Sequence, residues 1–211
     1  RANADIPLRP DITGTNFVTD GLLLGLEKRV ADIVTASTNW AAASTAVTLW
    51  SNDSSDPWGN IDTVVNAVVS SIGVQPNVAI MSWDVWRHLR QHPDFLDRVK
   101  YTRPGGRVEP EDLRSWFGFE KVLIGTGLID TAQEGASASM SYIWGNDFWA
   151  GYVTDAPALE MPSAGYVLRW GNRTVERFRM QEEKTDVITA EWFTSEKITA
   201  SDSGAIYAGV V

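Results

Sequence analysis

The sequence predicts an α+β protein, helical in its first half and stranded in its second. Three observations carry this. Apolar residues recur every three to four positions from Thr15 to Ala36 and again from Ile61 to Ile72. Short continuous apolar runs, Val78–Met81 and Val122–Ile124, sit between turn and cap residues, as buried strands do. From about Met140 onward the period drops to two, with Gly, Asn, Asp and Pro between the segments. At 211 residues and 44% hydrophobic content, the chain holds one substantial core or two small ones.

Residues 1–14 are expected to be extended and irregular, because Pro7 and Pro10 fix the backbone and Gly14 closes the segment. A helix is expected over Thr15–Ala36, roughly 30 Å long at about 1.5 Å per residue. Val18, Leu22, Leu26, Val30 and Ile33/Val34 form its stripe, while Asp20, Glu27, Lys28, Arg29 and Asp32 mostly avoid it. Gly21 and Gly25 weaken this helix and predict close approach of another backbone. Residues 37–55, rich in Ser, Thr, Ala and Asn, read as a loop with at most a short strand at Val47–Trp50.

The second helix has clear punctuation: Asp56 as N-cap, Pro57 in the first turn, Gly73 as the stop. Its apolar face is Ile61, Val64/Val65, Val68 and Ile72. After the strand Val78–Met81, Ser82 caps a third helix through Leu89, and His92-Pro93 ends or kinks it. Arg103-Pro104-Gly105-Gly106 reads as a turn or mobile tip. Pro110 opens a short helix that Gly118 ends. Met140–Trp144, Phe148–Thr154 and Tyr166–Trp170 are expected strands, and Thr174–Val211 is expected to form long, twisted strands with partly solvated faces. There is no internal repeat at solenoid period and no low-complexity tail.

Composition removes several function classes. The net charge of −9 leaves no basic excess to release counterions from phosphate, which disfavours tight DNA binding. The absence of cysteine excludes disulfides, thiolate metal sites and Cys nucleophiles. No stretch approaches the ~18 apolar residues of a membrane span, so no membrane partner is expected. The first residues carry no signal pattern and no initiator Met, which suggests a processed or trimmed product.

Candidate chemistry is sparse. His88 and His92 have the i, i+4 spacing of a zinc pair, but Leu89 stands where a hydrolytic site needs Glu, and His92 precedes a proline. A solvated or interface pair is the expectation. Gly125-Thr126-Gly127 follows a strand like the start of a dinucleotide fingerprint, yet Asp130 takes the third glycine position, so a turn is expected. There is no Gly-x-Ser-x-Gly elbow. The 27 acids could converge in three dimensions as a carboxylate pair, but no local signature singles one out. No catalytic residue, metal or cofactor is therefore assigned.

Positive charge concentrates in two places: Arg98, Lys100, Arg103 and Arg107, and Arg169, Arg173, Arg177 and Arg179. These are the candidate contacts, reaching either acidic patches on a neighbouring copy or packaged DNA, with the intersubunit reading preferred. Ten Trp residues are an excess. Most are expected in the core, and some are available as interface hot spots; the sequence does not sort them.

The order of motifs along the middle of the chain resembles major capsid proteins of tailed bacteriophages with the Hong Kong 97-type fold. Trp50-Ser51-Asn52 and Asp56-Pro57 lead into a helix from Asn60-Ile61, then Gln75-Pro76-Asn77-Val78-Ala79-Ile80-Met81. Asp84-Val85-Trp86-Arg87-His88-Leu89, His92-Pro93-Asp94 and Asp97-Arg98-Val99-Lys100-Tyr101 follow. The likeness continues through Phe117–Gly125, Ser139–Asp147, Pro162–Tyr166 and Arg169-Trp170, so it covers about residues 50–170 closely and the rest loosely.

The resemblance implies a peripheral domain over 1–36 and 171–211, with a spine helix at 15–36 and long strands. It implies an axial domain over 37–170, with a central sheet flanked by helices. Such proteins also carry an N-terminal arm and an extended loop, for which residues 1–14 leave no room; removal of about the first third by proteolysis or truncation is the expectation. The implied function is a non-enzymatic subunit of an icosahedral capsid, in the virion, assembled in the host cytoplasm. Its partners would be copies of itself in pentamers and hexamers, with scaffolding or portal proteins and weak inner-surface contact with packaged DNA. Implied contact regions are the tip near Arg103–Arg107, the edges of the 171–200 strands and the spine helix. An encapsulin-like nanocompartment shell protein is the near alternative. A small hydrolase with a carboxylate site is the alternative from another class, and it predicts a deep pocket with perturbed acids.

Overall fold

A computed structural model describes residues 9–101, 106–156 and 161–211. Helix α1 spans Pro10–Val34, so it begins about five residues before the expected start and absorbs Gly14, the residue expected to close an irregular segment. Val18, Leu22, Leu26, Val30 and Val34 form its half-buried stripe as the periodicity predicts. Among the described residues, none brings its backbone close to Gly21 or Gly25, contrary to the expectation. A Cβ at Gly21 would meet nothing within 4 Å, and one at Gly25 would meet only the Arg29 side chain. Its carboxyl end is closed by side chains from the following turn: Trp40 Nε1 donates to the Val34 carbonyl at 2.7 Å and Asn39 Nδ2 to that of Ile33 at 2.8 Å.

Strand β1 is Ala42–Thr45, not Val47–Trp50; the latter segment runs through turns, with Val47 almost fully exposed. Helix α2, Pro57–Ile72, carries the expected caps. Asp56 Oδ1 accepts from Gly59 N at 2.8 Å, and Gly73 adopts φ +71°, which a side chain would strain. Then come β2 (Val78–Ser82), α3 (Trp83–Leu89), α4 (Pro93–Val99), α5 (Pro110–Phe117) and β3 (Lys121–Gly125). The remaining elements are β4 (Leu128–Asp130), β5 (Met140–Tyr142), β6 (Phe148–Gly151), β7 (Gly165–Met180), β8 (Thr185–Ile198) and β9 (Gly204–Ala208). The turn expected at 103–106 lies outside the described residues except for Gly106.

Five strands form one mixed sheet in the order β1-β9-β6-β2-β3. The outer pairs, β1 with β9 and β2 with β3, are parallel, while β6 runs antiparallel to both β2 and β9. The pleat sends alternate residues to two separate cores. Ala79, Met81, Phe148, Ala150, Ala205 and Tyr207 face the main core, which α2, α3, α4 and α5 close with Ile61, Val68, Trp86, Phe95 and Leu113. Val78, Trp149 and Ile206 face the opposite way, onto Trp40, Ala164 and the end of α1 at Val34. This two-sided burial explains why β2 and β6 read as continuous apolar runs.

β7 and β8 form a separate antiparallel hairpin of 16 and 14 residues, with a register shift between Trp170 and Thr174. It rests on α1 through β8. The long strands expected over 171–211 thus divide: the hairpin starts at Gly165, and β9 leaves it to enter the central sheet between β1 and β6.

Candidate functional site

The chemistry-bearing residues of the sequence fall into three places. The first is the junction of α2 and α4. His92, only 2% exposed, is the N-cap of α4: its Nδ1 accepts from Asp94 N at 3.3 Å. Its Nε2 lies 3.2 Å from Ser55 Oγ and 3.3 Å from the Asn52 carbonyl. It is neither solvated nor paired with His88, which instead meets the Arg87 guanidinium at 3.2 Å. The i, i+4 spacing fails because α3 ends at Leu89, so the two histidines lie on different elements.

At the far end of α4, Arg98 lies 3.7 Å over the Trp58 ring, and Lys100 bonds Asp97 at 2.7 Å. The hydrogen bond to Asp97 holds the Lys100 ammonium above its ordinary range. Arg107 is exposed beside α5, and Arg103 lies outside the described residues.

The second place is the long arm made by α1 and the β7–β8 hairpin. Arg29 of α1 donates to Thr194 Oγ1 at 3.0 Å and Glu196 Oε1 at 3.2 Å of β8. Burial pushes the Glu196 carboxyl up, but hydrogen bonds from Thr194 and Arg29 outweigh it and hold the group below the usual range. Arg177 bridges Asp186 at 3.0 Å and Asp11 of α1 at 2.9 Å, which raises the guanidinium further. Arg179 approaches Asp186 at 3.8 Å, and Arg169 stacks 5.1 Å from the Trp192 ring. Three of the four hairpin arginines therefore serve the arm itself. Arg173, exposed inside the register shift, makes no side-chain hydrogen bond or ion pair among the described residues.

What sequence reasoning missed here is the outward face of the hairpin, where Trp170 is 83% exposed and Phe193, its cross-strand partner, 66%. The signal was present in the two-residue alternation, but alternation does not say which face a neighbour covers.

The third place is an apolar groove of about 300 Å³ between the second face of the sheet, the end of α1 and the base of the hairpin. Ile33, Ile80, Leu123 and Trp149 line it, with Lys121, Glu196 and Lys197 as its charged lining residues. It does not contain a converging carboxylate pair. Asp147, whose carboxyl is pushed up by burial despite accepting from Gly209 N at 2.8 Å, is not among its lining residues. Gly125-Thr126-Gly127 is a connection between β3 and β4, and a Cβ on Gly125 would collide with the Trp144 ring. That ring is fixed from the other side, its Nε1 donating to Glu27 of α1 at 2.8 Å. No helix of the described residues is long and apolar enough to cross a membrane.

Comparison with known proteins places this geometry beside phage proteins. No protein-family model matches the chain. It is 23% identical over 201 residues to the major capsid protein of Burkholderia phage BcepMu. That match takes in 91% of this chain and 64% of the relative, so the chain spans somewhat under two thirds of the relative's length. Among solved structures it is similar to a phage-related protein from Bordetella bronchiseptica RB50, with a TM-score of 0.84 and 25% identity. The superposition covers 98% of this chain and 70% of the other.

Proposed function

We propose that this chain is a structural subunit of a bacteriophage capsid, closing with copies of itself into the shell around the genome. The observation that carries the reading is the similarity to a phage major capsid protein along 91% of the chain, on a fold shared with a second phage-related protein. The surface chemistry agrees with it. The arm is long and carries its own ion pairs, and the groove at its base is apolar, with a single carboxylate, Glu196, among its lining residues. Association of many copies through repeated weak contacts needs no catalytic group, because closure of a symmetric shell multiplies each contact.

On this reading the fold is of the Hong Kong 97 type. Residues 1–36 and the hairpin form a peripheral domain, and the central sheet with its helices forms an axial domain around the symmetry axes. The structure suggests one refinement of that division, since β9 pairs within the central sheet and the hairpin begins at Gly165. Copies in pentamers and hexamers, with scaffolding or portal proteins, are then the partners, and the virion is the location.

Expression of the whole reading frame that encodes this chain, followed by electron microscopy of the purified product, tests the proposal. Closed shells of uniform diameter are expected. Small soluble species at every concentration would overturn it. Nucleic acid inside shells formed during infection separates a capsid from a nanocompartment that holds protein.

A further inference from the structure

The two faces of the central sheet are closed to different extents. On the main-core face Ala79, Met81, Phe148, Ala150 and Ala205 are all buried under the helices. On the other face Trp40 and Ala164 close over Trp149 and Ile206, but the cover thins at β2, where Ile80 is only half-buried. Parallel pairing sets Val78 beside Lys121 and Ile80 beside Leu123. Val122 and Ile124 pack on the main core, so alternation along β3 turns Lys121 and Leu123 onto the open side. Leu123 is 48% exposed there, on the wall of the apolar groove between this face, the end of α1 and the base of the hairpin.

We propose that this groove binds a medium-chain fatty carboxylate, with the alkyl chain along Ile33, Ile80 and Leu123 and the carboxylate on the Lys121 ammonium. The proposal goes beyond the capsid reading and does not depend on it. At about 300 Å³ the groove stands at the lower end of the ~300–1,000 Å³ typical of small-molecule sites. The polar side chains among its lining residues are Lys121, Tyr166, Glu196 and Lys197. Three of these are accounted for. The Tyr166 hydroxyl meets Thr154 Oγ1 at 2.6 Å, and Glu196 accepts from Arg29 and Thr194. Alternation along β8 turns the Lys197 side chain to the face opposite Glu196 and Ile198. Lys121 makes no side-chain hydrogen bond or ion pair among the described residues.

Charge and hydrogen-bonding capacity choose the occupant. Arg29 neutralises Glu196, so the charge left facing the groove is the Lys121 ammonium, on a chain whose net charge of −9 otherwise disfavours anions. An ammonium offers donors and no acceptor. The side-chain acceptors of the lining, Glu196 and Tyr166, are already engaged. The complementary ligand therefore carries an anionic acceptor at one end and nothing polar along the rest. A peptide laid on this floor would bring backbone N–H groups that find no partner there, and burying them unpaired is costly. An alkyl chain brings none, and it covers the apolar surface that Ile80 and Leu123 leave open.

Titration calorimetry of the full-length protein with sodium decanoate, below its micellar concentration, tests this. Decyltrimethylammonium, with the same tail and the opposite charge, is titrated beside it. Expected are saturable binding of one decanoate per chain and affinity for the cation weaker by at least ~tenfold. Lys121→Glu should weaken decanoate by a similar factor. Lys184→Glu, the same charge change at the hairpin tip, should leave it unchanged. No saturable decanoate binding, equal affinity for the two head groups, or a Lys121→Glu variant that binds like the parent each overturns the proposal. Should Lys121→Glu prove unfolded by circular dichroism, the comparison of head groups on the parent protein decides alone. Shell formation enters none of these outcomes, so the capsid reading stands or falls separately.

Discussion

The central sheet and the β7–β8 hairpin are made of the same kinds of residue, yet they spend them differently. All four residues of β6 are buried, whereas thirteen of the sixteen in β7 are exposed. Trp149 and Phe148 on β6 each fill one of two cores, while Trp170 on β7 fills none. The strands of the sheet are short because helices and α1 cover both faces. The hairpin is long because cross-strand pairing and one helix suffice to hold it. Apolar content in the first region measures internal stability; in the second much of it stays in contact with water.

Mutations sharpen that contrast, beginning with the largest effect. Phe95→Ala and Phe148→Ala, both at fully buried rings, are each expected to cost about 3–5 kcal/mol. Phe193→Ala is expected to change monomer stability by less than about 0.5 kcal/mol, because its side chain is already largely in water. Chemical denaturation of the three variants measures this, and equal losses would break the distinction. Next is His92→Ala, which removes an N-cap and leaves Ser55 without its ring partner, for about 1–3 kcal/mol. The same equilibrium measurement reads it.

A smaller and more local effect is expected from Arg29→Ala, about 1 kcal/mol or less, since the arginine is half exposed. Hydrogen exchange should then accelerate in β8 without change in β2 or β6; a uniform acceleration would mean that the arm and sheet unfold together. Acid acts on the same joint. The Glu196 carboxyl is held below its ordinary range, so the stability it contributes is complete above that range and is lost as pH falls through the folded value. Exchange in β8 should therefore rise in acid in the parent protein, and Glu196→Gln should flatten this dependence.

The smallest expected effect has the opposite sign. Burial holds the Asp147 carboxyl above its usual range, so its ionisation opposes folding as pH rises through the folded value. Asp147→Asn keeps an acceptor for Gly209 N and should raise the melting temperature slightly at neutral pH, with the gain vanishing in acid. A loss at neutral pH would show that the hydrogen bond outweighs the charge.

Local chemistry was legible wherever one residue sets a backbone angle or fills a cap. Asp56 and Gly73 bound α2, Ser82 caps α3, and Pro110 and Gly118 bound α5, all from the residue types alone. The start of α1 and the place of β1 were not legible. Pro10 fits the first turn of a helix as well as an irregular lead-in, and Ala42–Thr45, three small residues and one Thr, has little strand propensity and becomes a strand by pairing with β9. The arginine clusters were found, but not that Arg169, Arg177 and Arg179 are engaged within the arm while Arg173 stands apart from them.

The sequence by itself determined the α+β class, the caps, the apolar stripes and the likeness to phage capsid proteins, because these depend on neighbours along the chain. Only the tertiary structure decided that the last strand returns to the central sheet, that His92 is sealed beneath Ser55, and which tryptophans remain in water. Those outcomes depend on which surfaces meet across distances of tens to more than a hundred residues. A two-residue or four-residue period assigns a side chain to a face, and packing alone assigns that face to a core or to solvent.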